Sequence, residues 1–233
     1  AAAIGRHAGR VDDADRGEVR ALGQDFVPEL EVADAGFSDD DRVSAQLKPI
    51  NMYGYSKQLF DLWVMRNRLL GKVVGIKFFN VFGPNEYHKG EMQSVVRKSF
   101  FQIRDTGKVR LFKSHRAGFG HGEQIRDFVY VKDCVEVMWW FLQNPKARGI
   151  FNLGTGKART WNDLVKAVFQ ASGVKPKIEY IDMPLEIRDQ YQYVTEAKMD
   201  KLRKAGCPVR CRSLEDAVTD YVQEHLKKAD PYL

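Results

Sequence analysis

Three cysteines, Cys134, Cys207 and Cys211, are too few and too oddly numbered for a disulfide framework in a chain of 233 residues. A lone C-x3-C with no further partner is equally poor as a metal site, so the expected state is the free thiol of a reducing, cytoplasmic compartment. No apolar run approaches the roughly 20 residues that span a bilayer, and no membrane partner is expected. Residues 1–35 contain neither serine nor threonine and show no apolar period of 2 or 3.6. That segment is expected to be atypical or poorly ordered. Nor does any G-x-G-x-x-G or G-x-x-G-x-x-G follow a strand pattern in the first 50 residues, which removes the usual sign of dinucleotide binding. "GFGHG" (118–122) opens no helix, and "LGTG" (153–156) lacks the third glycine and a downstream acid. Both read as turns.

Positive charge, by contrast, is plentiful and unevenly placed. Residues 86–126 hold Lys89, Arg97, Lys98, Arg104, Lys108, Arg110, Lys113, Arg116 and Arg126 against only Glu86, Glu91, Asp105 and Glu123. That excess accounts for most of the formal net charge of +6. With no nucleic-acid motif and little interleaved aromatic surface, no nucleic-acid partner is expected. Two readings of the residues stay open: a solvated basic face, or a site for a small phosphorylated ligand.

From residue 50 onward the pattern becomes regular. A helix is expected from about Met52 to Leu70, with Leu59, Phe60, Trp63, Val64 and Leu70 as its apolar stripe. "KVVGIKFFNVFGP" reads as one strand stopped by Gly83-Pro84, and a helix follows at about 92–104. Strands are expected at "VRLF" (109–112), within "GHGEQIRDFVYV", at "GIFNLG" (149–154) and at "KIEYID". Helices are expected at 132–143, at about 161–172, at 195–205 and near the end of the chain. Thr160 with Asp163 three residues on forms a capping-box pattern, and Ser213 with Asp216 opens the last helix. Strands alternating with helices indicate an α/β protein on a parallel or mixed sheet.

The stretch "PINMYGYSKQLFD" puts Tyr53 and Lys57 four apart, on one helix face. A phenol is a poor base at neutral pH, and a neighbouring ammonium favours its ionised form. Such a tyrosine suits proton removal from an alcohol while hydride leaves the same carbon. The run "YGYSKQLFD", "FFNVFGP", "HKGEM", "RDFVYVKD" and "FNLGTG", in this order, resembles the extended short-chain dehydrogenase/reductase family. "HKG" after the Gly-Pro turn, with "EYI" and "YQYVT" downstream, resembles its branch of ADP-heptose 6-epimerases.

The resemblance covers residues 36–228 and implies a truncated Rossmann-like fold, a doubly wound parallel sheet, with a smaller mixed α/β substrate domain. Residues 36–84 are then the remainder of the Rossmann-like domain. Residues 85–233 are mostly substrate-binding, with 126–155 partly returning to the core. The implied activity is NADP-dependent inversion at C6 of an ADP-heptose through a 6-keto sugar, in a homo-oligomer. Tyr53 matches the catalytic tyrosine, Lys57 its partner and a contact to the nicotinamide ribose, and Lys89 a second acid/base on the opposite sugar face, near the cofactor as well. Val81 matches a cofactor contact and Asn80 a substrate contact. Phe112, Lys113, Ser114 and His115 match a substrate-lining segment, Arg126 a diphosphate contact and Tyr191 a further ligand contact.

The chain also departs from the family. Glu91 and Lys98 stand where relatives carry a serine and a histidine among their substrate contacts. Glu29 stands where the family supplies a Ser or Thr, Ser38 and Ser44 lie too near Tyr53 to replace it, and the glycine-rich cofactor half is expected to be missing. Two other readings therefore remain beside the epimerase. One is a non-catalytic sugar-nucleotide binder, and the other is a hexose 4-epimerase or dehydratase of the same family.

Overall fold

The computed structural model describes Asp39, Leu47, Pro49, residues 52–188 and residues 191–229. The segment 1–35, and with it Glu29, lies outside the described residues, as do Ser38 and Ser44. In chain order the elements are α1 (Met52–Arg66), β1 (Val74–Phe78), β2 (Asn80–Phe82), a 3-10 turn (Tyr87–Met92), α2 (Val95–Thr106) and β3 (Val109–Phe112). There follow β4 (Ile125–Arg126), β5 (Phe128–Tyr130), α3 (Val131–Gln143), β6 (Gly149–Leu153), β7 (Arg159–Thr160) and α4 (Trp161–Ser172). The last are β8 (Ile178–Ile181), α5 (Leu185–Arg188), α6 (Asp200–Lys204) and α7 (Leu214–Tyr221), which runs into a π-helical turn at Val222–Leu226.

The strand expected as one piece over "KVVGIKFFNVFGP" divides at Phe79. β1 pairs in parallel with β6, from Val74 opposite Gly149 to Phe78 opposite Leu153. β2 pairs in parallel with β5, Asn80 opposite Phe128. The switch is visible in two consecutive amides: Phe79 donates to the Leu153 carbonyl and Asn80 to the Asp127 carbonyl, each at 3.0 Å. One chain segment thus serves two partners and fans open at its C-terminal end. β3 pairs in parallel with β8, and β4 antiparallel with β7.

Two clusters form the interior. The larger joins α2, β3, α4 and α7 around Val96, Leu111, Val165, Phe169 and Val218, all fully buried. The smaller joins β6 and α3 to the α6 region around Val137, Phe151, Leu153 and Leu202. Local chemistry sets the helix ends. Thr160 and Asp163 form a reciprocal capping box on α4, Ser213 caps α7, and Ser94 caps α2.

Three expectations need correction. α1 stops at Arg66 rather than near residue 70, because Arg68 takes a left-handed φ of 56° and the Leu69 amide closes back on the Val64 carbonyl. Its stripe is mostly uncovered: Val64 is buried, but Leu59, Phe60 and Trp63 are exposed. The helix expected at 195–205 shrinks to α6. Upstream amides are captured elsewhere, Thr195 by the Ile125 carbonyl at 3.1 Å and Ala197 by the Asp127 carboxylate at 3.0 Å.

Asp127 also explains why "RDFVYV" and "FNLGTG" occur together. Fully buried, it accepts from the Thr155 amide and hydroxyl, both at 2.7 Å, and from the Gly156 amide at 2.9 Å. A Cβ on Gly154 would sit 2.6 Å from the Ala197 Cβ and 2.7 Å from an Asp127 oxygen. Close backbone packing is therefore the reason for that glycine. The thiols Cys134, Cys207 and Cys211 are free, and burial raises Cys134 to about 12 and Cys211 to about 11.

Candidate active site

Beside the β2–β5 pair lies a cavity of about 320 Å³. Asn80 and Val81 from β2, Phe128 from β5 and Trp161 at the start of α4 line it. Asn80 is held by its strand pairing, yet its side-chain Oδ1 is buried without a hydrogen-bond partner among the described residues. A buried acceptor in that state is costly unless a ligand or water satisfies it.

The 3-10 turn brings Lys89 to the same cavity. The Lys89 amide donates to the Glu86 carbonyl at 3.1 Å, and the Gln93 side chain donates to the Tyr87 carbonyl at 3.0 Å. Gly90 adopts φ 54°, which lets the chain reverse immediately after the lysine. A wider cavity of about 640 Å³ adjoins the first, sharing Val81, Phe82, Glu86 and Lys89 and adding Lys132, Glu136 and His225. Burial, and then the Lys132 charge, push the His225 imidazole toward its neutral form.

Arg126 is buried beside Trp161. Its guanidinium carbon lies 5.9 Å from the Trp161 ring and 5.3 Å from the Tyr191 ring, and the Trp161 indole donates to the Tyr191 hydroxyl at 3.1 Å. Arg126 donates to the carbonyls of Ile125 and Gln192, at 2.9 and 2.6 Å, and pairs with no carboxylate among the described residues. Those bonds use two of its five N–H donors. Tyr191 also packs edge-on to Tyr193, whose hydroxyl accepts from the His115 amide at 2.9 Å. His115 accepts from the Met183 amide, and the Ser114 amide donates to His121. Lys113 pairs with Asp182 at 3.3 Å, while Phe112 is buried in the β3–β8 ladder. His115, Arg126 and Tyr191 thus meet at one aromatic cluster, joined to the cavity by Trp161, while Phe112 and Lys113 are engaged elsewhere.

Tyr53 and Lys57 meet each other, the ammonium lying 4.5 Å from the centre of the tyrosine ring. Both are exposed in the first turns of α1 and line neither cavity. Glu91 and Lys98 are turned toward one another: the Lys98 ammonium donates to the Glu91 carbonyl and lies 3.9 Å from its carboxylate.

Much of the basic run proves to be paired. Arg104 meets Asp105, Lys108 and Arg110 share Glu179, and Lys113 meets Asp182. Among the cavity-lining residues that sequence reasoning did not single out are Glu86, Phe128 and Trp161. The sequence marks Trp161 only as the residue after a capping threonine at a helix start, which gives its place but not the cavity it faces. Glu86 had no signal beyond lying three residues before Lys89.

A model described as the NAD dependent epimerase/dehydratase family matches residues 31–154. An ADP-L-glycero-D-manno-heptose-6-epimerase of Nitratidesulfovibrio vulgaris is 63% identical over 198 residues, covering 85% of this chain and 61% of that relative. The chain therefore spans about three fifths of the curated protein it matches. Among solved structures, the ADP-L-glycero-D-manno-heptose-6-epimerase of Helicobacter pylori superposes with a TM-score of 0.67 at 26% identity, covering 85% of this chain and 57% of that one. A UDP-glucose 4-epimerase of Thermus thermophilus solved with NAD shares the Rossmann-like fold, with a TM-score of 0.64 at 23% identity over 87% of this chain and 61% of that one. The family match over residues 31–154, with the sequence and fold likeness, has one consequence: the chain belongs to the NAD dependent epimerase/dehydratase family.

Proposed function

We propose that the chain is the larger part of a cytoplasmic, homo-oligomeric nucleotide-sugar epimerase that inverts C6 of ADP-D-glycero-D-manno-heptose to the L-glycero form, with NADP as cofactor. The observation that carries this reading is the 63% identity to a curated ADP-L-glycero-D-manno-heptose-6-epimerase. The family description supports a nicotinamide cofactor, and NADP in particular is the expectation from the resemblance. The orphaned Asn80 Oδ1 and the Lys57 charge fit the nicotinamide-ribose and sugar end of such a complex. No glycine-rich phosphate turn lies among the described residues, so the rest of the cofactor is outside their reach. The β1–β6 and β2–β5 ladders support a division in which α1, β1, β2 and 126–155 face the cofactor and the remainder of 85–233 holds the sugar nucleotide. Free buried thiols and the exposed apolar residues of α1 and α3 support the compartment and the oligomer.

When bound, the nicotinamide supplies an acceptor and then a donor of hydride at C6. Tyr53 takes the proton of the C6 hydroxyl, and the Lys57 charge over its ring attracts the negative charge that develops on the phenol oxygen. Inversion requires the 6-keto sugar to turn its other face to the returning hydride, and in that orientation Lys89 would protonate the C6 oxygen in place of Tyr53. Arg126 and the segment 112–115 hold the diphosphate and sugar, the guanidinium fork being matched to phosphate oxygens. The test is to express the whole open reading frame containing this chain and incubate it with ADP-D-glycero-D-manno-heptose, with NADP or NAD, and with UDP-glucose in parallel. Inversion at C6, faster with NADP, is expected by NMR of the product. Conversion of UDP-glucose at C4 instead, or tight ADP-heptose binding without turnover, overturns the reading.

A further inference from the structure

Glu86 has no part in the chemistry above, yet it is the only carboxylate that lines both cavities at the Lys89 turn among the described residues. It is buried, with 4% of its surface exposed, and among the described residues its carboxylate meets hydrogen-bond donors of Ser94 and Tyr221 rather than a lysine or arginine. A charge so placed is unfavourable unless hydrogen bonds compensate it. Three do. One carboxylate oxygen accepts from the Ser94 amide at 2.5 Å, and the other accepts from the Ser94 hydroxyl at 2.6 Å and from the Tyr221 hydroxyl at 2.9 Å.

Glu86 and Ser94 are the two ends of the loop that carries Lys89, and Tyr221 belongs to α7, 135 positions along the chain from Glu86. One side chain therefore closes the loop on itself and ties it to the rigid end of the larger core, where Tyr221 is fully buried. The Glu86 carbonyl also holds the Lys89 amide. Simple capping of α2 does not require the Tyr221 bond, because Ser94 already caps that helix by accepting from the Arg97 amide.

We propose that Glu86 is a positioning residue for Lys89, with Tyr221 as its anchor: the carboxylate fixes where the lysine stands over the substrate cavity. The proposal rests on the reading of Lys89 as the second acid/base. Placement errors of about 1 Å at a reacting group can cost on the order of 100-fold in rate, so removing the clamp acts on turnover before it acts on binding.

The test uses the whole enzyme with ADP-heptose and NADP, measuring kcat, KM and the melting temperature of Glu86→Gln, Tyr221→Phe, Lys89→Met and the Glu86→Gln/Lys89→Met double variant. In Glu86→Gln the side-chain oxygen can still accept from the Ser94 amide, but the NH2 only donates. The Ser94 and Tyr221 hydroxyls must then turn to accept, and the charge that held both is gone. Its kcat is expected to fall by about 10- to 100-fold with KM nearly unchanged. Tyr221→Phe loses only the anchor and is expected to fall several-fold without misfolding. In the Lys89→Met background, Glu86→Gln is expected to cause no further loss, because nothing remains to be positioned. An equal fractional loss in both backgrounds overturns the proposal while leaving Lys89 its role. So does a lower melting temperature in Tyr221→Phe with kcat intact. Full activity in Lys89→Met overturns the epimerase assignment of Lys89 and the positioning proposal with it.

Discussion

Helices α1 and α4 both carry several large apolar residues and differ in what covers them. α4 buries Trp161, Leu164, Val165, Ala167, Val168, Phe169 and Ala171 against α2 and α7. α1, which is longer and carries the tyrosine–lysine pair, buries only Gly54, Gln58 and Val64. Phe60 and Trp63 stack at 6.2 Å with more than half of each exposed. α3 repeats the pattern on one side, burying Cys134, Val137 and Phe141 while Val135, Met138, Trp139 and Leu142 stay outside. An apolar stripe records which residues favour cover; it does not say which part of a chain or assembly provides it. For α4 the described residues supply the cover themselves. For α1 they do not.

The largest effect that separates the two helices is a large-to-small change at a buried ring. Phe169→Ala removes a fully buried side chain from the centre of the α2–α4–α7 cluster. It is expected to destabilise the protein by about 3–5 kcal/mol, since lost transfer and an unfilled cavity add. Urea unfolding monitored by circular dichroism measures it. A loss below about 1 kcal/mol would mean that α4 is no better supported than α1.

A second difference lies at the helix starts. α1 has no acid in its first turn, whereas Arg159 on β7 bonds Asp163 in α4 and forks onto Glu215 in α7 at 2.8 Å. The Arg159 guanidinium, against a smaller cost of burial, holds the Glu215 carboxyl below the usual carboxylate range. A carboxyl lowered by folding contributes stability that is full above its unfolded value of about 4.3 and disappears as pH falls through its folded value. Both partners are partly exposed, so solvent screening limits the pair to roughly 0.2–1 kcal/mol. Glu215→Gln is expected to lower stability by that amount at pH 7 and to leave it unchanged near pH 2. Equal loss at both pH values would assign the effect to packing rather than to charge.

The same contrast explains what was legible in the sequence. Elements written in local chemistry were readable nearly to the residue: the Thr160–Asp163 box that opens α4, "VRLF" as β3, and Ser213 before α7. Elements decided by distant partners were not. The division of β1 from β2 depends on Leu153 and Asp127 taking successive amides, and the short α6 depends on Ile125 and Asp127 capturing the chain before it. The α5 turn has only four residues and too little pattern to detect. In the site, Asn80, Val81 and Lys89 are near neighbours in sequence, and they do share one cavity wall. Phe128 and Trp161 reach that wall only through folding, and Glu86 acquires its meaning from Tyr221 in the last long helix.

The smallest expected effect is the most pointed test of the comparison. Trp63→Ser on α1 removes the larger of two stacked exposed rings, 54% of whose surface already meets solvent. In the isolated chain it is expected to change stability by no more than about 0.5 kcal/mol, the usual range for surface positions away from caps and buried networks. Apolar area that stays wet in the folded state contributes nothing to folding when it is deleted. The reasoning reverses in an assembly. If a second surface seats on α1, the same ring becomes buried, and its removal weakens that association even though folding is untouched. Sedimentation velocity on Trp63→Ser beside the parent, at several concentrations, separates the two. Unchanged folding with weakened association marks α1 as a covered face of the working protein. A folding loss of 2 kcal/mol or more would mean instead that Trp63 is already covered within the chain, and the contrast between α1 and α4 would fall.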